Sequence, residues 1–397
     1  MIGKYHSFEG TQKPLLLNRI IGFSDWWTLQ ESSSSESSVT HVLDLRSPDE
    51  QQKRCLCPSL RKESRSLVVV PIPVSVVEQR SFELPARHVK FSILVTESDL
   101  LRVGSFLCGS NRKRPNPWKI THVLLDNEEF WSKAHDMGMV NQKYTEAQLQ
   151  TELQGHKRQR LDQEYPIWHG IKDPTLQNPR QFSKFPLARL WQPDPMIANI
   201  LFPLMVKAYD NNQRSLSGEA LLEVWDLAAG AGRDVAFLAE ELFAVNKTHQ
   251  VIAVDHRYND KETKIVNDFW DRRGIGKQTT SLKLNLSHWK TLEQAMASAF
   301  TQKQVAAMFC VRFWKQDLVE AIANSASIFP GVLFALSHFC KPSLGATWDF
   351  DHPSKKTVLE RNQLHDIFHA KWDILHDEIS LDSDHGRTMI HFVARRR

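Results

Sequence analysis

Short apolar runs alternate with helical repeats along this chain, and they fall into two blocks. In the first block, apolar residues cluster at 41–46, 67–70, 91–95 and 122–125, each closed by charge or proline. Runs of this length, rich in Val, Ile and Leu, predict buried strands. Residues 98–106 and 128–135 carry apolar positions at helical spacing. Strands alternating with helices predict a parallel α/β domain. The second block repeats the theme, with strands predicted at 222–227, 250–255, 281–286, 305–311 and 332–337. Helices are predicted at 196–208 and from Val235 through Leu242. Its end departs from the pattern. Residues 372–379 and 388–394 read as two strands separated by Ser383-Asp-His-Gly386, which predicts an antiparallel hairpin.

Between the blocks, residues 142–184 are polar and poorly periodic, and they read as a linker, helical at 144–154. Tyr165, Pro166 and Trp168 in it predict some packing onto a domain. The serine run at 32–38, interrupted only by Glu36, predicts a loop. The expected organisation is therefore an α/β domain over 1–141, a linker over 142–184 and a second α/β domain over 185–397. A length of 397 residues agrees with two domains.

Composition narrows the class. No run approaches the roughly 20 apolar residues of a membrane span, and residues 1–23 lack the order of a signal peptide. The reading is a cytoplasmic protein with no membrane partner. The five cysteines, Cys55, Cys57, Cys108, Cys310 and Cys340, are odd in number and scattered, so they read as reduced thiols. A net charge of +4 does not point to nucleic acid, and the basic clusters at 112–114 and 156–160 read as solvated surface. Oligomeric state does not follow from the sequence.

Chemistry concentrates in the second block. Its first strand runs into Ala228-Ala-Gly230-Ala-Gly232-Arg-Asp234, and a helix follows at once. Small residues permit a tight turn and close approach of a ligand to the backbone. The helix start then offers free N–H groups and a positive dipole end. Dinucleotides and S-adenosylmethionine both use this device. The next strand ends in Asp255, 23 positions after Gly232, placed to accept hydrogen bonds from ribose hydroxyls. Asn285 closes the third strand and Arg312 follows the fourth. A dinucleotide fingerprint wants a third small residue where Val235 stands, which disfavours a nicotinamide dehydrogenase.

The glycine loop, the acidic second strand and the closing hairpin together resemble the class I S-adenosylmethionine-dependent methyltransferases. The similarity covers about residue 190 to the end. It implies a doubly wound, Rossmann-like domain with a reversed last strand. Asp226-x-Ala228-x-Gly230-x-Gly232 is similar to the family's acidic glycine loop, with Ala228 in place of the first glycine. The resemblance implies S-adenosylmethionine as cofactor, contacted by Asp226, Ala228, Gly230, Gly232, Asp255, His256, Asn285 and Leu286. Trp191, with Gln192, is expected to close over it. Its glycine loop and the tail Asp384-His-Gly-Arg-Thr388 are similar to a small-molecule or tellurite-resistance branch, implying a small-molecule acceptor. Arg312 and His338 are the catalytic candidates, with Trp314, Phe339 and Cys340 beside them at the strand ends. No Asn-Pro-Pro-Tyr or Asp-Pro-Pro-Tyr follows the fourth strand, against a methyltransferase of DNA bases. A scaffold keeping the fold without catalysis is the alternative.

In the first block, Val42-Leu-Asp-Leu-Arg46-Ser-Pro-Asp-Glu50, Pro71-Ile-Pro73 and the stretch from Trp131 to Gly138 resemble rhodanese-like domains. Such a domain carries its sulfur on a cysteine after a central strand. Here the matching strand is followed by Thr96-Glu-Ser-Asp99, without cysteine, so the resemblance implies an inactive domain. His365 and His369 stand at i, i+4, but no third ligand is evident, and no metal site is expected.

Overall fold

The computed structural model describes residues 16, 18–32, 40–56, 67–85, 89–108, 117–137, 140–141, 189, 191–212, 222–245, 249–302, 304–348, 350, 353–382 and 386–397. These fall into two compact units. The first holds the described residues up to Asn141 together with Arg189, Trp191 and Gln192; the second runs from Pro193 to Arg397. The linker expected over 142–184 lies outside the described residues.

The first unit is built on a four-stranded parallel sheet. Its strands are β1 (Thr40–Asp44), β3 (Leu67–Pro71), β4 (Lys90–Val95) and β5 (Lys119–Leu125), in the order β3-β1-β4-β5. The neighbouring pairs all run parallel, as alternation with helices requires. One addition was not anticipated from sequence. Cys55–Leu56 (β2) pairs antiparallel with Val140–Asn141 (β6), a contact between segments too short to carry a periodic signal.

An ion pair sits at the end of β1. Arg46 is 1% exposed and donates to both carboxylate oxygens of Asp44, at 3.0 and 2.7 Å. Its guanidinium also donates to the Arg54 carbonyl and lies 4.6 Å from the Trp131 ring centroid. A buried charge is tolerable only when paired and hydrogen-bonded in this way. The residues that follow β4 form a short turn, Glu97–Asp99, capped by the Thr96 side chain.

The second unit is a seven-stranded sheet. Its strands are β7 (Leu222–Leu227), β8 (His249–Asp255), β9 (Thr279–Lys283), β10 (Val305–Val311), β11 (Leu333–Phe339), β12 (Trp372–Leu381) and β13 (Thr388–Arg396). The order is β12-β13-β11-β10-β7-β8-β9. Only β13 runs against the others, pairing antiparallel with both β11 and β12. The closing hairpin therefore reverses one strand, as expected, although its tip at 383–385 lies outside the described residues. Chain order changes direction between β7 and β10, and that switch point is where open α/β sheets hold ligands.

Burial explains why these segments are strands. Every residue of β11 is buried, as are six of the seven in β8, because helices cover both faces. Alternate residues build the two sides. Trp225, Leu227, Ile252, Val254, Met308, Cys310, Phe334 and Leu336 join one core with Phe368 and Trp372. The intervening positions, among them Asp226, Asp255 and Ser337, therefore point to the opposite face. The helix Arg233–Ala244 packs close to β8, and its residues Val235 to Glu240 are all buried. No helix among the described residues is long and apolar enough to cross a membrane.

Candidate cofactor and acceptor site

The turn after β7 is held by the neighbouring strand. The amides of Ala228 and Ala229 both donate to the Val254 carbonyl, at 2.8 and 2.9 Å. This tethers the glycine loop to the end of β8. Ala228, Gly230 and Gly232 all take left-handed backbone, with φ of 75°, 59° and 68°. Glycine adopts that region freely, whereas alanine does so at about 1–2 kcal/mol. At Gly232 the requirement is also steric. An added Cβ would stand 2.8 Å from the Trp270 ring, whose Nε1 donates to the Gly232 carbonyl.

Asp255 ends β8 and faces this loop. Its Oδ2 accepts from the Gly230 amide at 2.9 Å. Its Oδ1 accepts from the Arg257 amide at 2.9 Å, and the Arg257 guanidinium reaches both oxygens at 3.1 Å. Burial works to raise the Asp255 carboxyl, but the bonds from Arg257 and Gly230 outweigh it and hold the carboxyl below its usual range. The Arg257 side chain is 60% exposed, so it can leave without losing buried contacts. His256 is exposed, with its Nδ1 3.3 Å from Asp255 Oδ1. The spacing drew attention to Asp255 and missed Arg257 two residues on.

Two buried polar groups and the half-buried Asp234 complete this part. Asp226 is 2% exposed, and no donor among the described residues reaches its carboxylate. Burial, with the charges of Asp234 and Asp255, pushes it well above the usual carboxylate range. Tyr258 is buried, and among the described residues its hydroxyl has no hydrogen-bond partner. Asp234 accepts from the Asp194 amide at 2.9 Å, and burial with the Asp194 charge raises it to about 7.

Asp194 anchors a network that sequence reasoning did not find. Its carboxylate accepts from the Met196 amide and from Ser337 Oγ, both at 2.9 Å. His391 Nδ1 lies 3.8 Å from it, while His391 Nε2 is 2.5 Å from Ser380 Oγ. These residues come from β11, β12, β13 and the segment ahead of the helix Phe202–Asn212.

The remaining candidates separate. Leu286 is buried in the core on one side of the sheet. Asn285 is exposed, lies beyond β9, and its Oδ1 accepts from the amide and hydroxyl of Ser287. Trp191 is buried and Gln192 exposed, both in the stretch that clusters with the first unit. Trp314 packs against the core, and the Cys340 thiol, pushed up to about 11 mainly by burial, donates to the Lys341 carbonyl. Arg312 and His338 do come together. Val311 pairs with Ser337, and the Arg312 amide donates to the Ser337 carbonyl at 2.7 Å, so Arg312 stands beside His338.

No family model matches this chain, and no curated protein matches it. Similar solved structures include a Burkholderia thailandensis 1,6-didemethyltoxoflavin-N1-methyltransferase with bound 1,6-didemethyltoxoflavin and S-adenosylhomocysteine. It is 16% identical, with 50% of this chain and 88% of that one covered, at a TM-score of 0.30. A geranyl diphosphate methyltransferase in complex with S-adenosylmethionine is 11% identical, covering 51% and 89%, at 0.29. A pericyclic reaction enzyme is 11% identical, covering 48% and 47%, at 0.33. Likeness at this level does not establish a shared activity. The sheet order and the reversed β13 define the second unit as a Rossmann-like α/β domain.

Proposed function

We propose that the second unit is an S-adenosylmethionine-dependent methyltransferase acting on a small-molecule acceptor. The observation that carries this reading is the pairing of the left-handed glycine loop with Asp255 at the sheet's switch point. The residues fit the cofactor. Asp226 is a buried carboxylate, and the Tyr258 hydroxyl is buried without a hydrogen-bond partner among the described residues, the condition expected where a polar ligand supplies one. Asp255 would hold the ribose hydroxyls once the exposed guanidinium of Arg257 gives way. The loop backbone and the start of the helix Arg233–Ala244 would receive the carboxylate end.

When bound, S-adenosylmethionine supplies a methyl group already activated by the sulfonium charge. The protein's task is then alignment and exclusion of water. The acceptor would lie at the carboxyl ends of β10 and β11, where Arg312 and His338 meet. His338 Nε2 donates to the Thr357 carbonyl at 2.7 Å, which fixes the proton on Nε2 and leaves the Nδ1 lone pair free. Burial lowers His338 to about 4, so it is neutral at physiological pH and can accept a hydrogen bond from the acceptor's nucleophilic group. Arg312 and His338 would orient the acceptor's nucleophilic group toward the activated methyl, and the acceptor's proton would pass to solvent.

Calorimetric titration with S-adenosylmethionine, S-adenosylhomocysteine and NADH tests the reading. Micromolar binding of the first two, lost in Asp255→Ala, is expected. Absence of both would overturn it and favour the scaffold, for which the closed Arg257–Asp255 pair is the supporting observation.

The first unit is read as a rhodanese-like domain without sulfurtransferase activity. The turn Glu97–Asp99 after β4 holds two acids and no cysteine, which disfavours a bound thiolate or persulfide. A thiosulfate:cyanide assay should show no turnover above buffer. Turnover abolished by Cys55→Ser or Cys57→Ser would reject this.

A further inference from the structure

We propose that the acceptor is a small carboxylic acid that also carries an O–H or N–H, its carboxylate held by Arg312 and that donor meeting His338 Nδ1. This rests on the methyltransferase reading and specifies its substrate class. Four observations converge at the carboxyl end of β11.

The first is an available cation. Among the described residues, no carboxylate lies within ion-pairing distance of the Arg312 guanidinium, and its side chain is exposed. The neighbouring arginine differs: Arg387 is paired with the buried carboxylate of Asp382. The second is backbone strain. Arg312 holds a φ of 54°, a region costly for a residue with a Cβ. Such strain persists where the fold over-determines it.

The third is an orphan acceptor. His338 is 3% exposed, its tautomer is fixed by Thr357, and its Nδ1 is buried without a partner. Such a group implies a missing donor. The fourth is a small buried apolar cluster separate from the main core, formed by Phe339, Trp348, Val358 and Met389, with the Arg387 guanidinium 4.4 Å from the Phe339 ring centroid. The three chemistries share one neighbourhood. The Arg312 guanidinium lies 5.7 Å from the Phe339 ring centroid, and the His338 ring meets that same ring edge-on at 5.7 Å. Trp348 also meets it edge-on, at 6.1 Å.

Each polar group selects one feature of the ligand. A guanidinium without a carboxylate partner recognises a carboxylate by paired N–H donors. A neutral imidazole with a free lone pair accepts from an O–H or N–H on the same molecule. A neutral terpenoid or a simple inorganic oxyanion would satisfy only part of this set.

The test uses the full chain saturated with S-adenosylhomocysteine. Benzoate, salicylate and 4-hydroxybenzoate are titrated by calorimetry, each beside its uncharged amide. At least one acid should bind with a sub-millimolar Kd, tenfold or more tighter than its amide. Arg312→Gly suits its left-handed backbone, so it should fold. It should lose that acid by tenfold or more while S-adenosylhomocysteine affinity stays within twofold. Arg312→Lys should recover part of the loss. Equal binding of acid and amide, acid binding unchanged in Arg312→Gly, or no acid bound by the loaded protein would each overturn the proposal. Where S-adenosylhomocysteine itself does not bind, the same acids are titrated against the unloaded chain. Acid binding lost in Arg312→Gly would then retain this site and reject only the cofactor reading, and its absence would reject both.

Discussion

Replacing Asp255 by alanine should weaken S-adenosylmethionine binding by about 100- to 1,000-fold, because two charge-assisted hydrogen bonds to the ribose are lost at about 1.5–3 kcal/mol each, partly offset by water. The carboxylate is suited to that task. It is 3% exposed and tethered to the Gly230 amide, so its oxygens are oriented before any ligand arrives. The Arg257 side chain presents a competing demand on both oxygens. Arg257→Ala therefore provides the control. It should leave affinity equal to wild type or tighter, since the ligand no longer displaces a guanidinium. Calorimetry on the two variants separates the roles. Equal loss in both would mean that the Asp255–Arg257 pair maintains the loop rather than meeting the cofactor.

Asp234→Asn should make the protein more stable than wild type above about pH 8, by about 2–4 kcal/mol. Burial and the Asp194 charge raise the Asp234 carboxyl from 3.8 to about 7. A raised folded value means that the folded state holds this proton more tightly than the unfolded chain does. The resulting stability is fully present below about pH 4 and is lost as pH rises through about 7. The asparagine keeps a carbonyl oxygen to accept from the Asp194 amide and never acquires the charge. Denaturant melts at pH 4, 6 and 8.5 should show the two proteins converging at low pH and separating at high pH. Parallel stability profiles would reject the account.

Much of this architecture is legible along the chain, and the reason is local. Strands β1, β4, β7, β8, β10 and β11 are buried on both faces, so apolar runs mark them within two residues or so of their ends. The glycine loop and Asp255 are local too, because a tight turn and a strand-terminal acid are each written in consecutive residues. The Asp194 network is not. Ser337 and Asp194 are 143 positions apart, and only the register of β11 against β13 brings Ser337 and His391 to one face. Asn285 illustrates the opposite limit. Its placement at a strand end is near correct, yet Ser287 two residues later consumes its acceptor oxygen. Arg257 carried a readable signal, an arginine two residues from a strand-terminal acid, which is the same spacing that joins Asp44 to Arg46 in the first unit.

Ala228 and Arg312 follow neighbouring strands, β7 and β10, and both occupy backbone that only glycine adopts without cost. Two selections applied to one saturation library should therefore disagree at these positions. Sorting cells for abundance alone should enrich glycine at both, since each replacement relieves about 1 kcal/mol of conformational cost. Sorting for turnover should keep glycine at 228, if the backbone alone meets the cofactor there, and remove it at 312, if the proposed carboxylate contact is made by the side chain. The divergence would mark residue 312 as a place where the lineage has retained a less stable residue for what its side chain touches.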